Sequence, residues 1–410
     1  MNPPRLLTFN AGSSTIKIGL FSVQEGQAIR IGSGVIDFRH HPLQFKLVTD
    51  EQTIDIALVA EVTEDLREVL DETLGWFSKH FSIDALLAVG HRVVHGTDMF
   101  VGPIVLNEQA IITLAALTPL APLHQPQSLR LIKAIEHLRP HLLQTASFDT
   151  AFHQHQSERV RAFAIPKKWF DSGVKRYGFH GLSYQFIYKK MTELFPAHAQ
   201  GKTVVAHLGS GASVCAFEAG ISQDTSMGFS TLDGIPMATR CGALDPGVIL
   251  YLLAHEKMRA KEVEHLLYGQ SGLLGLSGIS ADTRVLLESE YPGAKLALEV
   301  FTLRIAGEIA RLSTTLGGLE TLVFTAGIGE HQAAIREAVC KQLKWLGVEI
   351  DSAVNEKQNL APHTIPPVIS LRHSRVLILV IPTDEEQIIA DEALSVLGQN
   401  NSLQTGDSCS

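Results

Sequence analysis

Asn10-Ala11-Gly12-Ser13-Ser14-Thr15-Ile16-Lys17 stands near the start of the chain, and His207-Leu208-Gly209-Ser210-Gly211-Ala212-Ser213 repeats its character about half a chain later. Each is set between two apolar runs, 6–9 and 16–21 in the first case and 204–208 and 214–217 in the second. Both therefore read as strand, tight turn, strand. Glycine lets backbone N–H groups approach an anion closely and hydroxyls add donors, so such turns suit phosphates. Two of them predict a duplicated fold that closes on one nucleotide from two sides.

Working outward, strands are expected at 5–9, 14–21, 29–36 and 44–48, then an amphipathic helix over 62–81 with Leu66, Val69, Leu70, Leu74 and Phe77 on one face. A buried strand at 86–89, helices near 107–117 and 127–138 and a strand at 145–148 complete the first half. The second half repeats that order. It has strands at 203–208 and 212–219, helices near 246–257 and 260–268, and a long helix near 294–316. A strand at 321–325, a helix near 332–346 and a strand at 375–381 follow. The stripe Leu296, Val300, Leu303, Ile309 and Leu312 reads as core, with a dimer face as the alternative, and Met227 and the tryptophans read as packing residues. The last helix, 384–397, is followed by a polar tail that reads as disordered. Strands first, then alternating helices and strands, twice over, is an α/β architecture of two domains with a cleft between them. The boundaries are set at 1–150, with helix 384–398 packing back onto that domain, 151–383, and a flexible tail at 399–410.

At 410 residues there is room for two full cores. A formal charge of −9 argues against a nucleic-acid partner, since an acidic surface repels phosphate backbones. Cys215, Cys241, Cys340 and Cys409 form no CxxC pair and read as reduced thiols. No apolar run approaches the ~20 residues that span a bilayer, and the N-terminus reads without a signal-peptide core. The expectation is a cytoplasmic protein without a membrane partner.

Further segments are too polar and glycine-rich to be mere connectors. They are His91-Arg92-Val93-Val94-His95-Gly96, Phe148-Asp149-Thr150-Ala151-Phe152-His153 and Arg176-Tyr177-Gly178-Phe179-His180-Gly181. Later come Thr239-Arg240-Cys241-Gly242-Ala243-Leu244-Asp245-Pro246-Gly247 and Phe324-Thr325-Ala326-Gly327-Ile328-Gly329-Glu330. In this order and over nearly the whole chain, these blocks resemble the acetate kinase family, and the resemblance also includes Pro122-Leu123-His124, Gly272-Leu273-Leu274-Gly275-Leu276-Ser277-Gly278-Ile279-Ser280 and Thr383-Asp384-Glu385-Glu386. The resemblance implies two duplicated ribonuclease-H-like, actin-like ATPase domains with the nucleotide in the cleft. It implies reversible in-line phosphoryl transfer from ATP to acetate with Mg2+, Mn2+ being the alternative ion, and a homodimer.

Residue by residue, the resemblance implies Asn10 and Glu385 near the metal and Lys17 on the nucleotide phosphates. Arg92 and Arg240 would flank the carboxylate and the transferring group, as planar guanidinium forks suit. His180 would stabilise the transition state. Asp149 matches the family's catalytic acidic residue; acetate is ionised at pH 7 and needs no base, so Asp149 is expected to orient an arginine or a magnesium-bound water. Nucleotide contacts fall on His207, Leu208, Gly209, Ser210, Gly211, Asp282, Thr283, Arg284, Gly327, Ile328, Gly329, Glu330 and His331. Val94, Leu123, His124, Phe179 and Thr231 would line the acyl pocket.

Four positions depart from the family's common wording: Ser210, Thr231, Cys241 and His331. None removes a charged catalytic group, and Thr231 replaces the usual pocket proline, which opens propionate or another short-chain acid as an alternative substrate. A non-catalytic ATP-binding regulator is the rival of another class. Plain structural readings stand beside the functional ones: Asp282 as a helix cap, Glu385 and Glu386 as dipole partners, and His153 and His155 as solvated or capping residues.

Overall fold

The computed structural model describes residues 3–12, 15–60, 66–81, 86–357 and 368–406, with side chains to 399. The chain forms two compact units, Met1–Phe152 with Asp384–Ser410, and His153–Thr383.

In the first unit β1 (Arg5–Ala11), β2 (Thr15–Gln24), β3 (Gln27–Asp37), β4 (Gln44–Thr49), β5 (Thr53–Ala57), β6 (Leu86–Val93), β7 (Ile104–Val105) and β8 (Leu143–Phe148) form one sheet in the order β5-β4-β3-β2-β1-β6-β8-β7. β1 pairs antiparallel with β2 and parallel with β6, and β6 runs parallel to β8. β1 is buried almost throughout because both of its faces are covered. Leu7 and Phe9 pack on Leu70, Phe77, Leu131 and Ile135 of the helices Arg67–Phe81 and Gln125–Leu138. Leu6 points to the other face, against Ala390 and Leu397 of the final helix, Glu385–Gly406.

In the second unit β9 (Lys202–Leu208), β10 (Ala212–Glu218), β11 (Ile221–Thr225), β12 (Thr321–Thr325) and β13 (Leu377–Val380) are ordered β11-β10-β9-β12-β13. The central five strands of the first sheet, β3-β2-β1-β6-β8, have the same order and the same directions. The two strand–turn–strand stretches read from sequence are the β1–β2 and β9–β10 hairpins of this duplicated fold. It is the two-domain actin-like ATPase fold. The 25-residue helix Pro292–Leu316 lies on β9–β11 through Ala297, Phe301, Ile305, Ile309 and Leu312, a three-to-four-residue spacing.

Several expectations change. β5, β7, β11 and the helices Gly181–Leu194, Gly272–Ser277 and Thr283–Glu288 were not foreseen. The first long helix is described from Arg67, and residues 62–65 of its expected span lie outside the described residues. The final helix continues to Gly406, because nothing between Gln399 and Thr405 (neither proline nor glycine) stops it; residues 407–410 lie outside the described residues. Leu296 and Leu303 of the expected core stripe are exposed, and so are Trp169 and Trp345.

Candidate active site

Three parallel strands bring their carboxyl ends to one edge of the first sheet, the place where open α/β sheets hold ligands. Asn10 is at the end of β1, Arg92 at the end of β6, and Asp149 one residue beyond β8. The backbone there is tied down: Asp149 N donates to the Val93 carbonyl at 3.2 Å, and Ser128 Oγ donates to the Arg92 carbonyl at 2.9 Å. Arg92 grips the fully buried Asp149 as a fork, Nη2 to Oδ2 at 2.6 Å and Nε to Oδ1 at 3.1 Å. Its Nη1 donates to Asn10 Oδ1 at 3.0 Å and lies 3.9 Å from Glu385 Oε2. Asn10 Nδ2 donates to Glu385 Oε2 at 2.8 Å and Glu386 Oε1 at 2.7 Å. Burial works to lower the Arg92 pKa, but Asp149 and Glu385 outweigh it, so the guanidinium is held above its ordinary value. Lys17 stands on β2 directly across from Asn10 and is exposed.

In the second unit His180 has a left-handed backbone, φ 58°, and caps the helix Gly181–Leu194. That conformation costs a non-glycine residue about 1–2 kcal/mol, and such strain gathers at working sites. Its ring stacks on His207, centroids 4.2 Å apart. His180 Nδ1 is 2.8 Å from Ser213 Oγ, which also hydrogen-bonds Tyr184 Oη. His207 Nδ1 is 2.8 Å from Ser183 Oγ, and that hydroxyl meets Thr383 Oγ1 at 2.9 Å. Thr383 N donates to Glu330 Oε1 at 3.2 Å, so the β9 turn and the helix Ala326–His331 share one network. In the turn, Gly209 N donates to the Gly211 carbonyl at 3.1 Å, and the Ser210 carbonyl accepts from Ala238 N at 3.2 Å. A Cβ on Gly211 would lie 3.5 Å from both His180 Nε2 and Arg240 Nη2. Arg240 Nη1 donates to the Thr231 carbonyl at 2.9 Å.

Other predicted residues form separate groups. Asp282 caps the helix Thr283–Glu288, accepting from Arg284 N at 2.9 Å and pairing with the exposed Arg284 side chain at 2.6 Å. Val94, Phe179 and Thr231 are buried, whereas Leu123 is 45% exposed and His124 half-buried. His331 is exposed, its Nε2 3.8 Å from Glu330. His153 corrects the solvated or capping expectation. It is buried, with Nδ1 2.8 Å from Ser222 Oγ and Nε2 3.0 Å from the Phe179 carbonyl, where it braces the segment carrying His180; burial lowers its pKa to about 4.

The sequence profile of the acetokinase family matches residues 5–391. The chain belongs to the acetokinase family. An acetate kinase of Rhodopseudomonas palustris (strain TIE-1) is 45% identical over 391 residues, 94% of this chain and 96% of its own. Among solved structures, the acetate kinase of Porphyromonas gingivalis superposes with a TM-score of 0.83 at 31% identity, covering 96% of this chain and 100% of its own. A propionate kinase from Francisella tularensis gives 0.86 at 31% identity, with 95% and 98% covered. The chain is accordingly a phosphotransferase.

The acetokinase family works with ATP or ADP and a divalent metal, and the residues present fit both. In the first unit the Arg92 guanidinium faces three carboxylates, Asp149, Glu385 and Glu386, an acidic cluster suited to a divalent cation. These are hard oxygen donors. Among the described residues no three His, Cys, Asp or Glu side chains converge as a metal cage, so an ion here would keep several waters, as magnesium does. In the second unit the bare backbone of the 209–211 turn, faced by Arg240 and His180, fits a phosphate chain.

Sequence reasoning missed Tyr184, Ser183, Ser213 and Arg336. Ser183, Ser213 and Tyr184 are buried hydroxyl residues that nothing in their local sequence marks out. Arg336 is buried in the helix Ala333–Gln342 and donates from Nη1 to the Gly329 and Glu330 carbonyls at 2.9 and 2.8 Å; burial lowers its pKa to about 10. Nothing in its local sequence sets it apart from a surface arginine.

Proposed function

We propose that this phosphotransferase transfers the γ-phosphoryl group of ATP to acetate, reversibly and with magnesium, giving acetyl phosphate and ADP. The observation that carries the reading is the preorganised Arg92–Asp149–Asn10–Glu385 network, which holds a guanidinium for a planar anion beside an acidic cluster suited to a cation. An acetate oxygen forms the new bond to phosphorus as the bond to the ADP oxygen breaks. Acetate at neutral pH has no proton to lose, and both Asp149 oxygens are engaged by Arg92, which supports Asp149 as the residue that aims Arg92. Arg92 and Arg240 offset charge on the carboxylate and the phosphoryl oxygens, and His180 donates to one of those oxygens. Magnesium, near Asn10 and Glu385, would neutralise phosphate charge. Lys17, His207, Leu208, Gly209, Ser210, Gly211, Asp282, Thr283, Arg284, Gly327, Ile328, Gly329, Glu330 and His331 hold the nucleotide, and Val94, Leu123, His124, Phe179 and Thr231 confine the acyl chain.

Among the described residues no helix is long and apolar enough to cross a membrane. Three unpaired cysteines, Cys215, Cys241 and Cys340, support a reducing, cytoplasmic setting. A homodimer is supported by the helix Pro246–Ala254, which is almost wholly apolar yet has no buried residue, Leu250 being 65% exposed. Sedimentation velocity returning a monomer at micromolar concentration would contradict it.

The test of the reaction is a coupled assay of ADP release on acetate, propionate and butyrate. Acetate is expected to give the highest kcat/KM, and Arg92→Ala to lower it about a thousandfold. Propionate as the best acid would leave the chemistry standing and assign the Thr231 pocket to a longer chain, a preference one methylene can set at only about 1–3 kcal/mol. Binding of ATP without turnover of any acid would overturn the proposal.

A further inference from the structure

We propose that Tyr184 and Ser213 are positioning residues that fix the tautomer of His180, so that Nε2 carries the proton and faces the 209–211 turn as a donor. The inference rests on the proposed role of His180 but is read by a different measurement. Ser213, on β10, is wholly buried, and its Oγ lies between Tyr184 Oη and His180 Nδ1. A serine hydroxyl has one proton to give. Either Tyr184 donates to Ser213 and Ser213 to His180, or the chain runs backwards from His180 Nδ1–H through Ser213 to Tyr184, or both neighbours donate and the serine proton is left without an acceptor in a buried site. The last costs an unmade hydrogen bond. Between the first two, the phenol decides: it is far more acidic than an alkyl hydroxyl, with a pKa near 10, and donation of its lone pair into the ring makes it the poorer acceptor. Tyr184 therefore donates, Ser213 passes its own proton toward Nδ1, and the neutral imidazole must carry its hydrogen on Nε2.

The tautomer assigned is that of the neutral ring. His207 is stacked against it, and the Arg240 guanidinium approaches the same point above Gly211 as Nε2 does. His180 also caps the amino end of a 14-residue helix, the positive end of its dipole. The Arg240 guanidinium and the helix end each place positive charge beside His180. Tyr184, four residues along that helix, meets the ring's other side through Ser213. The outcome matters because the two tautomers present opposite groups to an anion: Nε2–H donates to a phosphoryl oxygen, whereas a bare Nε2 lone pair repels it.

The test uses full-length protein labelled with 15N-histidine, with the His180 signals assigned by their loss in His180→Gln. At pH 7.5 the wild type is expected to show the Nε2–H tautomer of a neutral ring. Ser213→Ala is expected to shift His180 toward Nδ1–H and to lower kcat roughly a hundredfold with KM nearly unchanged. Ser213→Thr, which keeps the hydroxyl, restores both readouts, and Tyr184→Phe, which keeps the ring, gives a mixed tautomer and about a tenfold lower kcat. Wild-type His180 found as Nδ1–H or doubly protonated, or a tautomer unmoved in both Ser213→Ala and Tyr184→Phe, would overturn the proposal. Should Ser213→Ala fail to fold, Tyr184→Phe and Ser213→Thr alone decide. The expected tautomer in an enzyme inactive on every acid would sink the acyl kinase reading and leave this one intact.

Discussion

At the residue scale, the chemistry depends on what is missing from a turn as much as on what is present. Gly211 needs no unusual backbone, and a Cβ there would make only ordinary contacts, but those contacts are with His180 Nε2 and Arg240 Nη2. Gly211→Ala is therefore expected to keep the thermal stability within about 0.5 kcal/mol while lowering kcat/KM at least about tenfold, because a methyl shields two donors. Equal losses in stability and activity would point to a merely structural glycine. The charged members of both groups were legible in the sequence through its resemblance to the acetate kinase family, whose polar, glycine-rich blocks carry them. The hydroxyls that aim them were not. Ser213 and Tyr184 look like any polar residue of a strand or helix until the fold lays β10 beside the helix Gly181–Leu194.

At the element scale, the closeness of packing in the first unit sets how the Glu385 and Glu386 carboxylates are held. A Cβ on Gly90 of β6 would come within 2.6 Å of Ile389 Cγ2, four residues along the helix from Glu385. Gly90→Ala is expected to cost about 1–3 kcal/mol by overpacking and to raise the magnesium concentration for half-maximal activity, since the start of that helix must shift. Ile389→Ala added to it should recover the metal requirement; an unchanged requirement in Gly90→Ala would show that the helix position does not control Glu385. The two hairpins could be read from sequence because glycine and serine punctuate apolar runs. The helix Gly181–Leu194 could not, because its cap is a histidine in left-handed backbone rather than a serine, aspartate or threonine. β11 escaped because three of its five residues, Ser222, Asp224 and Thr225, are buried polar groups; Arg311 Nη1 answers Asp224 at 2.7 Å.

At the scale of the whole molecule, the duplication was visible as repeated order, and the sheets repeat it strand for strand. The two units differ in acid sensitivity. His91 and His95 in the first and His153 in the second are each pushed down to about 4 by burial. Their unfolded value is near 6.5. A depressed histidine is neutral in the folded state while the unfolded chain takes up the proton, so its contribution is complete above about pH 6.5 and is lost as pH falls toward 4. Each contributes a slope of about 1.4 kcal/mol per pH unit, twice as steep in the first unit as in the second. Urea unfolding between pH 6.5 and 5, followed by Trp76 for the first unit and by Trp169 and Trp345 for the second, checks this. Equal slopes, or stability rising on acidification, would contradict it.

The most direct test of the account is to follow oxygen. [18O2]Acetate, magnesium and ATP are incubated with the enzyme and the phosphorus spectrum is recorded. An acetyl phosphate resonance carrying the 18O isotope shift is expected, because a carboxylate oxygen has become the bridge to phosphorus. Inorganic phosphate alone, an unshifted acyl phosphate, or ATP left intact would contradict it.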